Sequence, residues 1–406
     1  MADSLPFTTI PGFRFSAVPA GIRKDGRIDV ALAVADSPAT VAGVFTRNLV
    51  RAAPVLVAAE RAHKGLARAV LVNSGCANAC TGEVGYRATI ESTAAIANEL
   101  SIGPELVLPA STGVIGQPLP ASRIIRAAKS LVEALRPEGH RDFAQAICTT
   151  DRWPKVAWSE LSDDRDGPRL VGIAKGAGMI HPDLGPLVPA KPGSGQATML
   201  VFLFTDAAID KTELQRSLVT TTDRTFNCCS VDGDTSTNDT VLALASGATR
   251  TPVDPSRLSE AMFTVCDELA RSMVLDGEGS EHAVELRILG LRSNDDARRV
   301  ARTIATSLLV KTALSGHDAN WGRILAAAGR AGVIFEPSET SIRIGEIAVV
   351  QDGLGVGSRA EQEASVVMAR PTYTLEVRLG EGPGEARYWM TDLGHGYVDV
   401  NAGYRS

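Results

Sequence analysis

The sequence predicts an α/β fold of layered sheets flanked by helices. Strand and helix signals alternate along most of the chain, the pattern of layered α/β proteins. From Ser341 on, the signals turn mostly to short strands. A buried strand is marked by Met199–Phe204, the most apolar short run of the chain.

The 406 residues suffice for a large core and for two lobes. Apolar residues make up 44%, charged residues 22%, and the net charge is −6 with no long basic or acidic run. That balance gives no electrostatic footprint for nucleic acid and favours small-molecule chemistry. No apolar run approaches a membrane span. The start, MADSLPFTTIPGFRF, lacks a basic segment followed by an apolar one, so no signal peptide is expected and a cytoplasmic location is. Cys76, Cys80, Cys148, Cys228, Cys229 and Cys266 match neither a zinc ribbon nor a disulfide framework. They are expected to be buried reduced thiols.

Taken in order, residues 27–46 are β-rich. A helix over Pro54–Lys64 leads to a strand at Ala69–Val72 and a polar turn, Asn73–Asn78. Gly82–Leu100 reads as a helix with Ile90, Ala94 and Ala97 on its apolar face. A short strand, Leu106–Pro109, runs into Ser111-Thr112-Gly113. Backbone N–H groups and a hydroxyl gathered there suit an oxyanion, although read locally the segment is a simple turn. Helices follow at Ala121–Leu135 and Arg141–Cys148, then a polar β segment and the strand Leu170–Ala174.

The Gly-rich Lys175–Ile180 and a Pro/Gly loop, His181–Gln196, precede Ala197-Thr198 and the apolar strand. A threonine between loop and strand is where a self-cleaving enzyme would place a nucleophile that becomes a new N-terminus. Beyond it, helices are expected at Lys211–Phe226, Pro255–Val274 and Asp295–Leu309, the last with Ala297, Val300, Ala301, Ile304 and Leu308 inward. Another opens at Asn320-Trp321-Gly322-Arg323, and strands follow at Ser341–Val350, Ala364–Arg370, Tyr373–Leu379 and Ala386–Thr391. Asp232–Asp239 looks like a calcium loop but carries Thr237 at position six and Ala243 at position twelve, so it reads as a polar loop near a site. No phosphate loop, G-x-S-x-G elbow or H-E-x-x-H motif occurs.

Several segments together resemble the ornithine acetyltransferase (glutamate N-acetyltransferase) family. They include Asn73–Gly82, Ser111–Gly116, Thr149-Thr150-Asp151, Ala174–Ile180, Ala197–Leu200, Asp232–Asp239, Asp276–Gly279, Leu309–Ala313, Ala319–Arg323 and the C-terminal Asn401-Ala402 to Ser406. The resemblance implies cleavage between Ala197 and Thr198, giving an α chain 1–197 and a β chain 198–406. It implies Thr198 as nucleophile, Thr112 and Gly113 as oxyanion hole, and Thr149, Lys175, Thr198, Glu278, Asn401 and Ser406 as substrate contacts. Glu278 could also assist proton transfer.

The chemistry is coherent. A freed α-amine, with a reference pKa of about 7.7–8.0, would serve as base for its own threonine hydroxyl. Acetyl would pass from acetylornithine to Thr198 and then to glutamate. No metal or cofactor is expected, with acetyl-CoA as co-substrate if the enzyme is bifunctional. The resemblance further implies a sandwich similar to N-terminal-nucleophile hydrolases with its own topology, and an α2β2 heterotetramer. The connection Asp183–Gln196 is longer than the family's usual one. Its length leaves open a homologue serving a specialised-metabolite pathway. An autoprocessing amidase or aminopeptidase and an uncut scaffold protein are the other readings.

Overall fold

In the computed structural model, which describes residues 9–164, 167–186, 199–250 and 252–403, the alternation resolves into two mixed sheets, each with its own helices. The chain divides into two compact units. The first takes in the described residues up to Asn227 and Thr235–Leu269; the second takes in Cys228–Asp234 and those from Ala270 on.

The sheet of the first unit comprises β1 (Phe13–Val18), β2 (Val30–Thr46), β3 (Leu66–Cys76), β4 (Val107–Val114), β5 (Lys155–Glu160), β6 (Arg169–Lys175), β7 (Leu184–Gly185), β8 (Leu200–Thr205) and β10 (Thr240–Ala245). Its order is β4-β3-β2-β10-β8-β6-β5, with β1 and β7 also paired to β2. The long β2 changes register between Val34 and Ala39. Val30–Ala35 of β2 pairs with β1, Thr40–Phe45 with β10, and β3 pairs with it on both sides of the shift, through Val30–Val34 and Ala39-Thr40.

All six residues of β8 are buried, which is why the sequence there is continuously apolar rather than alternating. Leu200, Phe202 and Phe204 enter one core with Phe13, Phe15 and Phe143. The Phe204 ring lies 5.1 Å from both Phe13 and Phe15, edge to face, and Phe143 lies 5.5 Å from Phe202. This packing fixes the strand that begins one residue after Met199.

The second unit holds β9 (Cys229–Ser230), β11 (Ala283–Gly290), β12 (Ser341–Ile344), β13 (Ile347–Gln351), β14 (Leu354–Gly355), β15 (Thr372–Arg378) and β16 (Gly382–Thr391). They run in the order β14-β13-β12-β15-β11-β16-β9. Val284, Leu286 and Ile288 of β11 share a core with Ala297, Val300, Ala301 and Ile304 of the helix Asn294–Ala305.

Several expectations need correction. The strand β3 runs on through Cys76 and β4 through Val114, so neither Asn73–Asn78 nor Ser111-Thr112-Gly113 is a plain turn. The helix Gly82–Leu100 buries Ala97 as expected, but Ile90 and Ala94 are only half-buried. Its inner face is Ala88, Thr89, Ser92, Thr93 and Ile96; the hydroxyls of Thr89, Ser92 and Thr93 bond back to the carbonyls of Gly85, Ala88 and Thr89. Asp295–Leu309 is two helices broken around Ser307, and Leu308 is 64% exposed. Ala364–Arg370 falls largely in the helix Ser358–Met368, because the good helix formers before it outweigh the Val-Val pair. A last helix, His395–Gly403, is not among the elements expected from the sequence. Among the described residues no disulfide forms, and of the six cysteines only Cys80 is exposed. No described helix is long and apolar enough to cross a membrane.

Candidate active site

In the first unit the ends of three strands bring polar groups together. Parallel β3 and β4 set Ser74 against Thr112 and Gly75 against Gly113. Gly113 has φ +124°, and a Cβ there would stand 2.4 Å from the Gly75 carbonyl carbon. Only glycine allows the two backbones this close approach.

Lys175 ends β6 and is fully buried. Its Nζ donates to Thr112 Oγ1 at 3.1 Å and to Thr149 Oγ1 at 2.8 Å. Behind it lies Asp151, 3.9 Å from Lys175 Nζ and 2.7 Å from Lys155 Nζ. Asp151 also accepts from the N–H of Gly176 at 2.7 Å and of Thr149 at 3.0 Å. Burial alone would push its carboxyl up. The two lysines and the backbone donor outweigh that and hold it well below the usual carboxylate range.

The once calcium-like loop is a strut of this site. Asn238 Nδ2 donates to the Ala77 carbonyl at 2.7 Å and to the Ser111 carbonyl at 2.8 Å, fixing the peptide before Thr112. Asp239 accepts the Met199 N–H on Oδ1 at 2.9 Å. Burial pushes the Asp239 carboxyl up to about 7, against the pull of Met199 N–H, Ser236 and Lys175. The Gly-rich Lys175–Ile180 is buried apart from half-buried Met179 rather than an open loop.

Thus Thr112, Gly113, Thr149 and Lys175 stand together. Glu278 and Asn401 belong to the second unit, where Asn401 Nδ2 donates to Glu278 Oε2 at 3.1 Å. The helix carrying Asn401 comes close because Gly279 has no Cβ: one would stand 2.1 Å from the Gly396 carbonyl carbon. Ala197, Thr198 and Ser406 lie outside the described residues. Sequence reasoning assigned no site role to Asp151, Lys155, Asn238 or Asp239. The Thr-Thr-Asp and Thr-Asn-Asp strings were the signals available; Asp151 and Lys155 are four residues apart, but what buries their pair and sets Asp239 against Met199 comes from elsewhere in the chain. Among the described residues no three His, Cys, Asp or Glu side chains form a metal-ligand set.

Fold and site together define an α/β enzyme with a buried, charge-paired lysine at the ends of its strands. The chain belongs to the ArgJ family, whose pattern it matches over residues 14–406. It is 43% identical over 403 residues to the arginine biosynthesis bifunctional protein ArgJ of Desulfotalea psychrophila, covering 98% of this chain and 100% of that one. It is 44% identical over 407 residues to the protein of the same name from Geobacter sulfurreducens, with the same coverage. Among solved structures it is similar to the ornithine acetyltransferase of Mycobacterium tuberculosis, complexed with ornithine. That match has 40% identity, covers 44% of this chain and 95% of that one, and has a TM-score of 0.42.

Proposed function

We propose that this chain is a self-cleaving acetyltransferase of arginine biosynthesis. It moves the acetyl group of N2-acetylornithine to glutamate through an acetyl ester on Thr198. Family membership supports the reaction class. The observation that carries the site is Lys175 joining Thr112 and Thr149 beside Gly113.

An ammonium only donates hydrogen bonds, so Thr112 Oγ1 accepts from Lys175 and its own proton is left to donate elsewhere. With the backbone at Gly113, that hydroxyl would hold the oxyanion formed when Thr198 Oγ attacks the acetyl carbonyl. The freed α-amine of Thr198 would take the hydroxyl proton and pass it to the departing ornithine nitrogen. Glutamate's amine would then take the acetyl group from the ester. Thr149, Lys175, Glu278, Asn401 and Ser406 would hold the amino-acid substrates, whose carboxylate and ammonium groups suit charges of both signs. The relatives' name, bifunctional, supports a second activity in which acetyl-CoA acetylates glutamate. Cleaved chains 1–197 and 198–406 would assemble as an α2β2 heterotetramer.

Initial rates with both substrates varied test the reaction. Parallel double-reciprocal lines are expected, with Thr198→Ala losing activity by a factor on the order of 10⁴ or more. Intersecting lines contradict the shared ester. Acetylornithine hydrolysis without transfer to glutamate would favour the amidase reading instead.

A further inference from the structure

The paired ends of β3 and β4 carry a hydroxyl that the reaction above does not use. Val70, Val72 and Ser74 of β3 pair with Leu108, Ala110 and Thr112 of β4. The four apolar members of these pairs belong to one core cluster. Alternation along each strand therefore puts Ser74 and Thr112 on that same face, where its apolar stripe ends. Thr112 meets Lys175 there. Asn73 and Ser111 take the other face, where Ser111 Oγ donates to Asn73 Oδ1 at 2.6 Å.

The Ser74 backbone is tied down, its N–H donating to the Asp29 carbonyl at 2.8 Å. Its side chain is the telling feature. Ser74 is 1% exposed, and among the described residues its Oγ has no hydrogen-bond partner. A buried hydroxyl without a partner costs stability, and native proteins hold few of them. One pair further on, the bare Gly113 lets its strand close on Gly75, which keeps the two strand ends together. Neighbouring strands lie about 4.8 Å apart, and an O–H···O bond spans about 2.7 Å. One oxygen seated between Ser74 and Thr112 can therefore accept from both hydroxyls.

We infer that Ser74 is a further donor of the oxyanion hole, an inference that rests on the acetyl-transfer reading above. As the nucleophile adds to the acetyl carbonyl, the π pair of the C=O bond moves onto its oxygen. Thr112 Oγ1, the backbone at Gly113 and Ser74 Oγ donate to that oxygen, and each keeps its own proton. When the tetrahedral species collapses, the pair returns to re-form the C=O bond and the leaving group departs. An oxyanion forms on the acetyl group in both half-reactions, so Ser74 acts in acetyl loading and again in transfer to glutamate. A donor kept free of protein partners has no bond to give up before it serves the developing charge.

The test compares Ser74→Ala with the wild type in steady-state acetyl transfer and in chemical unfolding. Its kcat is expected to fall about 100-fold, as for loss of one oxyanion donor. The KM for acetylornithine should stay within about twofold, because the contact is made in the transition state. The unfolding midpoint should be no lower than that of the wild type, because the hydroxyl removed had no partner. Ser74→Thr keeps the hydroxyl and should recover part of the rate. Wild-type kcat in Ser74→Ala overturns the inference and leaves the acetyl-transfer reading standing. So does a loss confined to KM, or a loss accompanied by a lower unfolding midpoint. If the Ala chain does not fold or is not cut, Ser74→Cys takes its place, with nearly the same shape and only a weak S–H donor; wild-type kcat in that variant overturns the inference. A wild type that forms no acetyl ester overturns both.

Discussion

Lys175 and Lys155 share one carboxylate but are expected to fail differently when removed. Lys155 makes the direct contact with Asp151, whereas Lys175 sits farther off and spends its donors on Thr112 and Thr149. Lys155→Met should therefore cost about 3–5 kcal/mol of stability, the range for breaking a buried pair. Lys175→Met should cost about 1–3 kcal/mol, as for a lost buried hydrogen-bond partner, yet abolish most transfer activity. Denaturant unfolding and kcat/KM on both variants check this; equal stability loss, or an active Lys175→Met, contradicts it. The sign with pH is set by Asp151, whose folded carboxyl titrates below the ordinary range. Its stabilisation is fully present above about pH 4 and is lost as pH falls through the folded value. Lys175 and Thr149 were legible in the sequence only through family resemblance. Asp151 and Asp239 drew no role because a carboxylate's function depends on what faces it: Asp151 meets nearby Lys155 and also Lys175 of β6, and Asp239 meets Met199.

The elements themselves were readable where periodicity or capping was strong. The helix Lys211–Arg224 begins at Asp210, whose side chain accepts from Thr212 N–H at 2.8 Å and Glu213 N–H at 3.1 Å. Asp210→Ala is expected to cost about 1 kcal/mol, measured by chemical unfolding; no loss would mean that packing alone sets this helix start. Errors arose where local and tertiary preferences diverge. Ser111-Thr112-Gly113 has turn composition, but pairing with β3 keeps it extended to Val114. The helix Ser358–Met368 resembles a strand in a short window because Val366, 70% exposed, and buried Val367 are β-branched. The apolar β8 was unmistakable because both its faces are covered.

For the whole molecule, alternation of elements indicated an α/β layering, but neither the number of sheets nor their boundaries. Cys228–Asp234 contributes β9 to the second unit from within the stretch that otherwise builds the first, a crossing no local pattern announces. The central claim is that the chain becomes two polypeptides with Thr198 at the head of the second. Intact-mass analysis of the denatured protein, before and after acetylornithine is added, tests it most directly. The account predicts two fragments, 1–197 and 198–406, the second becoming heavier by one acetyl group with substrate. A single uncut chain that still transfers acetyl to glutamate would contradict it.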